Sequence, residues 1–352
     1  MKNLNKLSWN FVTEKNRWAI YQDGYELCKR LNKKNIITYI SSRALIKKNN
    51  IIHYGSLNMF KSSMLQKSKI ISRIFRYFFN NYYVVSFFHG NLDTNKKFEK
   101  KINFLLNRMD LIDYVAIPNL IMLKRLKEWG VDRNKIIIVK VGFDSKLFIK
   151  NSNSNELKKK FNLPQKKFVI GSFQKDGDGW GEGLSPKMIK GPDIFCNVIN
   201  ELNKKFKIHV LLTGPARGYV KKFLNENNIS YTHNYLDNYK DLPVFYSMLD
   251  LYLITSREEG GPKSLIECMS MKIPFVSTKV GVAKEIFKFT ESDIFCDIDD
   301  IESMVKKSAQ ILNDLKNFKL NIDYDIIKNH DFDFIAGQYL EIYNKLNLIK
   351  SN

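Results

Sequence analysis

The residues best suited to chemistry sit in one run, Ser256-Arg-Glu-Glu-Gly-Gly-Pro-Lys-Ser-Leu-Ile-Glu267. Glu259 stands at a Gly260-Gly261-Pro262 turn, and Glu267 follows eight positions later on what reads as a helix. Paired glycines let a backbone approach a ligand closely. Proline suits a first helical position, where its missing N–H is not needed, so the helix is expected to begin at Pro262. The backbone around this start, from Gly260 through Lys263, Ser264 and Leu265, together with the positive end of the helix dipole, suits an anion such as a diphosphate. One carboxylate can then reach a sugar at the turn while the other reaches back to nucleoside hydroxyls. A second candidate is His89, which follows the apolar run Tyr83 to Phe88 and precedes Gly90. Open α/β sheets bind ligands beyond the carboxyl ends of their strands, which is where His89 would stand. His53, His209, His233 and His330 have no such setting and are given no role.

These groups need a framework. Short β-branched apolar runs recur at 35–40, 83–88, 111–117 and 136–141, and again at 168–173, 208–212, 251–255 and 274–277. Helical periodicities such as 120–129 and 194–206 lie between them. Alternation of this kind, with near-continuous apolar strands, indicates parallel α/β sheets. The polar stretch Lys150 to Asn155 has linker composition and separates the two series. The expected architecture is two doubly wound domains with a cleft between them, 1–150 and 151–330, and a closing helical segment, 331–352, with Phe334, Ile335, Tyr339, Leu340 and Tyr343 on one side.

A chain of 352 residues, 44% apolar and 13% aromatic, can bury two ordinary cores, which excludes disordered and fibrous classes. The four cysteines, Cys28, Cys196, Cys268 and Cys296, form no C-x-x-C pair, so neither a disulfide framework nor a zinc ribbon is indicated. No apolar run opens the chain as a secretion signal would, and none reaches the length of a bilayer span. A cytoplasmic place is expected, with a peripheral position on the inner face of the membrane as an option.

The net charge of +21 is unevenly placed. Residues 1–150 carry 29 basic and 10 acidic side chains, whereas 151–352 carry 28 and 26, so nearly the whole excess lies in the first half. Residues 27–92 hold twelve Lys or Arg and no Asp or Glu. One half therefore faces something anionic: a membrane surface, a nucleic acid or an acidic polysaccharide. Within it, Phe60, Met64, Leu65, Ile70, Ile71, Ile74, Phe75, Phe78 and Phe79 interleave with Lys61, Lys67, Lys69, Arg73 and Arg76. This is the pattern of an interfacial helix, or of a surface helix whose stripe packs on a sheet.

At the Glu259 to Glu267 run the sequence resembles the retaining glycosyltransferases of family 4, which adopt the GT-B fold. The resemblance extends to Ile170-Gly-Ser-Phe173 with Lys190-Gly191, to Leu212-Thr-Gly214, to Gly281-x-Ala-Lys-Glu285, and to the Gly142-x-Asp144 … Phe148 segment. It covers most of 80–345 and is thin before residue 80. It implies Lys190 and the helix start as partners of a donor diphosphate, Glu259 on the sugar hydroxyls, Glu267 on the ribose and His89 near the reacting carbon. It also implies front-side attack with retention, and a last helix crossing back to the first domain. Asn16 to Gly24 looks like the family's first loop and helix, with Trp18 either near the phosphates or plugging the core.

The chain departs from the pattern after Phe173. Its first cation there is Lys175, and an insert, Asp176-Gly-Asp-Gly-Trp-Gly-Glu-Gly183, precedes Lys190. Diphosphate binding is assigned to Lys190 first, then Lys175, with Lys187 as a third choice. The insert is either a mobile loop over the donor or simply a long loop. Asp176-x-Asp178, Asp297-x-Asp299, Asp323-x-Asp325 and Asp331-x-Asp333 follow no suitable strand end, so no metal is expected. No cofactor is expected either, the nucleotide sugar being substrate. The expected activity is transfer of a sugar from a nucleotide sugar to a cell-envelope glycan or glycolipid, as in polysaccharide or lipopolysaccharide biosynthesis. A nucleotide-sugar epimerase or hydrolase on the same fold is the alternative. A nucleic-acid-binding or -modifying protein is a further one, though no nucleic-acid partner is expected.

Overall fold

The computed structural model describes residues 6–15, 19–92, 96–287 and 293–351, so the expectation for Trp18 lies outside the described residues. The chain forms two compact units, Met1–Phe143 with Asn329–Asn352, and Asp144–Lys328.

The first unit holds a parallel sheet of β1 (Ser8–Val12), β2 (Thr38–Ser41), β3 (Asn50–Tyr54), β4 (Tyr82–Ser86), β5 (Tyr114–Ile117) and β6 (Ile136–Ile138), in the order β2-β1-β3-β4-β5-β6. Side chains alternate across a strand, and here both faces are covered. Trp9, Phe11, Ile51 and Val84 share one core with Leu27, Leu31, Phe332, Ile335, Tyr339 and Tyr343, while Ile52, Tyr54, Tyr83, Val85 and Val115 face the other. The helix Phe332–Ser351 belongs to this unit because Phe332, Ile335, Ala336, Tyr339, Ile342, Tyr343 and Leu346 recur at helical spacing and are all buried.

The second unit holds β7 (Phe168–Phe173), β8 (Ile208–Thr213), β9 (Tyr231–Asn234), β10 (Leu251–Ile254), β11 (Phe275–Thr278) and β12 (Phe295–Cys296), all parallel, in the order β12-β11-β10-β7-β8-β9. Its strand order reverses between β7 and β10, the topological switch point of a dinucleotide-type sheet.

Apolar runs do not announce four of these strands. β1 and β3 carry Ser8, Asn10 and Asn50, whose polar groups are satisfied by partners distant in sequence. Ser8 Oγ donates to Asn50 Oδ1 (3.0 Å), Asn10 Nδ2 donates to Ser41 Oγ (2.7 Å), and Asn10 Oδ1 accepts from Leu45 N (2.9 Å). β9 is a half-buried strand at the sheet's end and β12 has two residues. The boundary between the units also falls earlier than the polar stretch at 150–155 suggests. Phe148 is buried in the second unit against Tyr239 and Tyr246, at ring distances of 5.7 and 6.1 Å, so the chain has already entered that core. Among the described residues, no helix is long and apolar enough to cross a membrane.

Candidate functional site

β7 and β10 lie side by side, Leu251 opposite Ile170, yet their following helices diverge. Pro192–Asn203 packs with 218–226 and 301–313, whereas Lys263–Met271 packs with 242–247 and 324–328. A crevice therefore opens past Phe173 and Ile254, and the sequence sends its candidate residues there. Thr255 Oγ1 donates to the Gly191 carbonyl (2.9 Å), and Gln174 Nε2 donates to the Lys190 carbonyl (3.2 Å). Gly191 has φ +62°, and a Cβ there would run into the Thr255 carbonyl oxygen. Only glycine permits both the backbone conformation and the approach.

This joint aims Lys190 at Glu259. The Lys190 ammonium pairs with Glu259 Oε1, which also accepts from Ser256 Oγ at 2.9 Å, both side chains being largely buried. Lys187 and Lys175 complete a cationic cluster. Burial pushes the Lys187 ammonium below its ordinary pKa, with Lys190 and Lys175 adding to the effect and Glu259 and Asp178 opposing it. Burial likewise lowers Lys175, whose ammonium lies 4.3 Å from the Trp180 ring centroid. Three ammonium groups stand against the two carboxylates of Glu259 and Asp178, which leaves a positive balance.

The glycine-proline turn leads into the helix one residue later than expected: Pro262 is the cap residue and Lys263 the first helical one. Lys263 Nζ lies 5.5 Å from the Tyr239 ring centroid. The Ser264 side chain bonds to Tyr252, whose hydroxyl accepts from Phe173 N at 2.8 Å, tying the helix start to the end of β7. Leu265 is a core residue, and its N–H closes onto the Pro262 carbonyl at 3.0 Å, so the sequence assignment of Leu265 to ligand contact gives way to a packing role. Glu267 is buried, its Oε1 accepting from Tyr239 (2.5 Å) and its Oε2 from Tyr246 (2.7 Å). Neither tyrosine is legible from the sequence as part of a site, since each lies more than twenty positions away. The glycine turn itself is backed by the Val282 N–H on the Gly260 carbonyl (3.3 Å).

Arg217 is a second group without a sequence signal. It is fully buried with Asp176, Nε to Oδ1 3.0 Å, and its Nη1 donates to the carbonyls of Ser172 (2.6 Å) and Thr213 (2.9 Å). It thus clamps the carboxyl ends of β7 and β8 to the start of the insert. Beyond Asp176 the insert folds back, with Asp178 N donating to Ser185 O (2.9 Å). Its Glu182 and Gly183 carbonyls accept from Gly218 (2.6 Å) and Tyr219 (3.0 Å) at the next helix start. Gly183 has φ +78° and lies against Ala216 so closely that a Cβ would overlap its carbonyl. The insert is therefore anchored at both ends of its glycine run, with Trp180 half exposed at its tip. Gly214, at φ +87°, follows β8, and its carbonyl is bonded to His233 Nε2 at 2.8 Å.

Arg257 serves the scaffold, bridging Asp193 (2.6 Å) and Asp299 (2.7 Å). His89 belongs to the first unit, past the end of β4, with its ring 6.0 Å from Phe98. His53 is buried among Trp9, Phe11 and Tyr339, bonds Ser86 Oγ at 2.8 Å, and is pushed down to a pKa of about 3 by burial. Among the described residues no group of three or more His, Cys, Asp or Glu is placed to hold a metal.

The family described as glycosyl transferases group 1 matches residues 183–314. The lipopolysaccharide core biosynthesis mannosyltransferase LpsB of Rhizobium meliloti (strain 1021) is 25% identical over 230 residues, 60% of this chain and 58% of that protein. An O-antigen biosynthesis glycosyltransferase, WclY, of Escherichia coli is 28% identical over 161 residues, 45% of this chain and 42% of that protein. The chain thus spans about half the length of the curated relatives it matches. Among solved structures, HepE of Anabaena in complex with UDP and glucose superposes with a TM-score of 0.72 at 13% identity, covering 96% of this chain and 99% of that one. Sucrose-phosphate synthase of Thermosynechococcus elongatus gives 0.75 at 13%, covering 97% and 99%. These likenesses show the fold, which is GT-B, as the sequence leads one to expect.

Proposed function

We propose that this chain is a retaining, metal-independent glycosyltransferase of the family 4 kind, moving a sugar from a nucleotide sugar to a cell-envelope glycan or lipid-linked acceptor. The observation that carries the reading is the Lys190–Glu259 pair, set at the β7/β10 switch point beside the helix start at Lys263. The likeness to LpsB and WclY, a mannosyltransferase of lipopolysaccharide core biosynthesis and a glycosyltransferase of O-antigen biosynthesis, points the same way. A donor diphosphate would replace Glu259 as the partner of Lys190, with Lys187 and Lys175 adding charge. Glu259, released, would accept from the sugar hydroxyls. Fixed cations and helix amides stabilise a departing diphosphate in the way that preorganised dipoles stabilise developing charge. Glu267 would take a ribose hydroxyl beside or in place of Tyr239. In the first unit, His89 is retained as a group acting on the transferred sugar. No cofactor enters this scheme. The basic first unit is assigned to an anionic acceptor or membrane surface, and a nucleic acid to none.

Thermal-shift screening against a panel of nucleotide sugars identifies the donor, since a bound ligand stabilises by mass action. With that donor and an envelope glycan extract, Lys190→Ala and Glu259→Ala should each lower turnover about 100-fold or more while the fold is kept. Near-normal turnover in both variants overturns the site. Consumption of donor without any acceptor at the full rate would instead favour the epimerase or hydrolase reading.

A further inference from the structure

The helix Lys69–Phe79 is turned inside out. Its fully buried residue is Ser72, whose hydroxyl donates to the carbonyls of Leu65 and Ser68. Arg76 reaches inward to both oxygens of Asp113 (2.5 and 2.8 Å) and to the Leu111 carbonyl, and Phe75 and Phe79 stack beside it, 5.1 Å apart. Ile70, Ile74, Tyr77 and Phe78, at helical spacing along one stripe, are 68, 48, 83 and 66% exposed, and Ile71 lies next to them, also exposed. A surface helix ordinarily buries such a stripe. The sequence leaves open whether it packs on the sheet, and the structure turns it outward. Met64, just before the helix, is 74% exposed as well.

Cations surround the stripe. Lys61 and Lys67 are exposed at its start. Lys69 and Arg73 share the single carboxylate of Asp110 (3.6 and 2.6 Å), so that site keeps a positive balance. At the far end, the Asn49 N–H donates to the Phe79 carbonyl (2.8 Å) and Asn80 Nδ2 donates to Asn49 Oδ1 (3.1 Å). These bonds seat the loop carrying Arg43, Ile46, Lys47 and Lys48 against the helix, all four side chains exposed.

We infer that this helix and the loop 43–48 dock the first unit on an anionic lipid surface, the apolar stripe entering the headgroup boundary and the flanking lysines and arginines meeting lipid phosphates. The inference deepens the anionic-surface reading above by naming the element that makes the contact. Charge complementarity selects the occupant. A second copy applied face to face would set cations on cations, and a nucleic acid would leave the isoleucine and phenylalanine stripe in water.

The test is co-sedimentation of the full chain with phosphatidylcholine vesicles made with and without phosphatidylglycerol. The wild type should bind the anionic vesicles and not the neutral ones. Ile70→Ser/Ile74→Ser/Tyr77→Ser/Phe78→Ser, at positions already in water, should keep the thermal midpoint and lower binding about 100-fold. Lys47→Glu/Lys48→Glu should lower it by about tenfold or more. Equal binding to both vesicle types, or binding unchanged in the serine variant, overturns the inference. So does a dimer in sedimentation equilibrium that the serine variant dissolves, or duplex-DNA binding that the serine variant retains. Donor-induced thermal shift should be the same in wild type and variants. Failure of the wild type to bind anionic vesicles, with that shift intact, therefore refutes docking without touching the catalytic reading.

Discussion

Replacing Arg217 with methionine strands the Asp176 carboxylate. Both side chains are fully buried, with Arg217 Nε 3.0 Å from Asp176 Oδ1. The guanidinium also serves the carbonyls of Ser172 and Thr213 at 2.6 and 2.9 Å. Breaking a buried pair by removing one partner costs about 3–5 kcal/mol, and the loss of donors to two buried carbonyls adds about 1 kcal/mol, for a total of about 4–6 kcal/mol. For a unit of this size that corresponds to a fall on the order of 10–20 °C in Tm. Burial already raises the Asp176 pKa above its ordinary value, with Arg217 opposing the rise. A carboxyl raised in the folded state holds more protons folded than unfolded, so stability falls as pH rises from the ordinary value through the folded one. In Arg217→Met the opposing charge is gone and that window extends upward. The variant should therefore be more stable near pH 5 than near pH 7.5, and Asp176→Asn/Arg217→Met should recover part of the loss and flatten this dependence. Calorimetry of the second unit's transition reads all three. A loss under about 1 kcal/mol in Arg217→Met, or a double variant less stable than the single one, refutes the argument.

Gly191→Ala should shift the Lys190 joint away from Thr255, because a left-handed residue with a Cβ costs about 1–2 kcal/mol before the collision with the carbonyl is counted. Turnover should fall at least tenfold while the rest of the fold survives, and a variant with wild-type kinetics contradicts the geometry. Because burial, Lys190 and Lys175 depress the Lys187 pKa, donor affinity should weaken as pH rises toward the ordinary lysine value, earlier than an exposed lysine would allow. Lys187→Met should bind more weakly at neutral pH and lose part of that alkaline limb, Lys175 keeping the rest, as measured by donor titration. Transfer should be unaffected by EDTA, since lysines and helix amides carry the charge in this scheme; inactivation by EDTA that magnesium reverses would disprove metal independence.

The sequence by itself settles what depends on neighbours along the chain. Near-continuous apolar runs become β7, β8, β10 and β11, and the Glu-Gly-Gly-Pro-Lys run becomes a strand-to-helix turn, because local backbone preference and burial agree there. It shows that the positive excess is confined to one half, and it brings Glu259 and Lys190 forward as candidates. It does not show their pairing, which the close approach of Gly191 to Thr255 creates between segments about seventy residues apart. Tyr239 and Tyr246 on Glu267, and Arg217 on Asp176, are equally invisible, since a buried polar group takes whatever partner the sheet order brings to it. The direction of the helix Lys69–Phe79 is the clearest case. Its periodicity marks an apolar stripe, but which side faces the protein is decided by Asp110, Asp113 and Leu65, groups whose positions only the tertiary structure supplies.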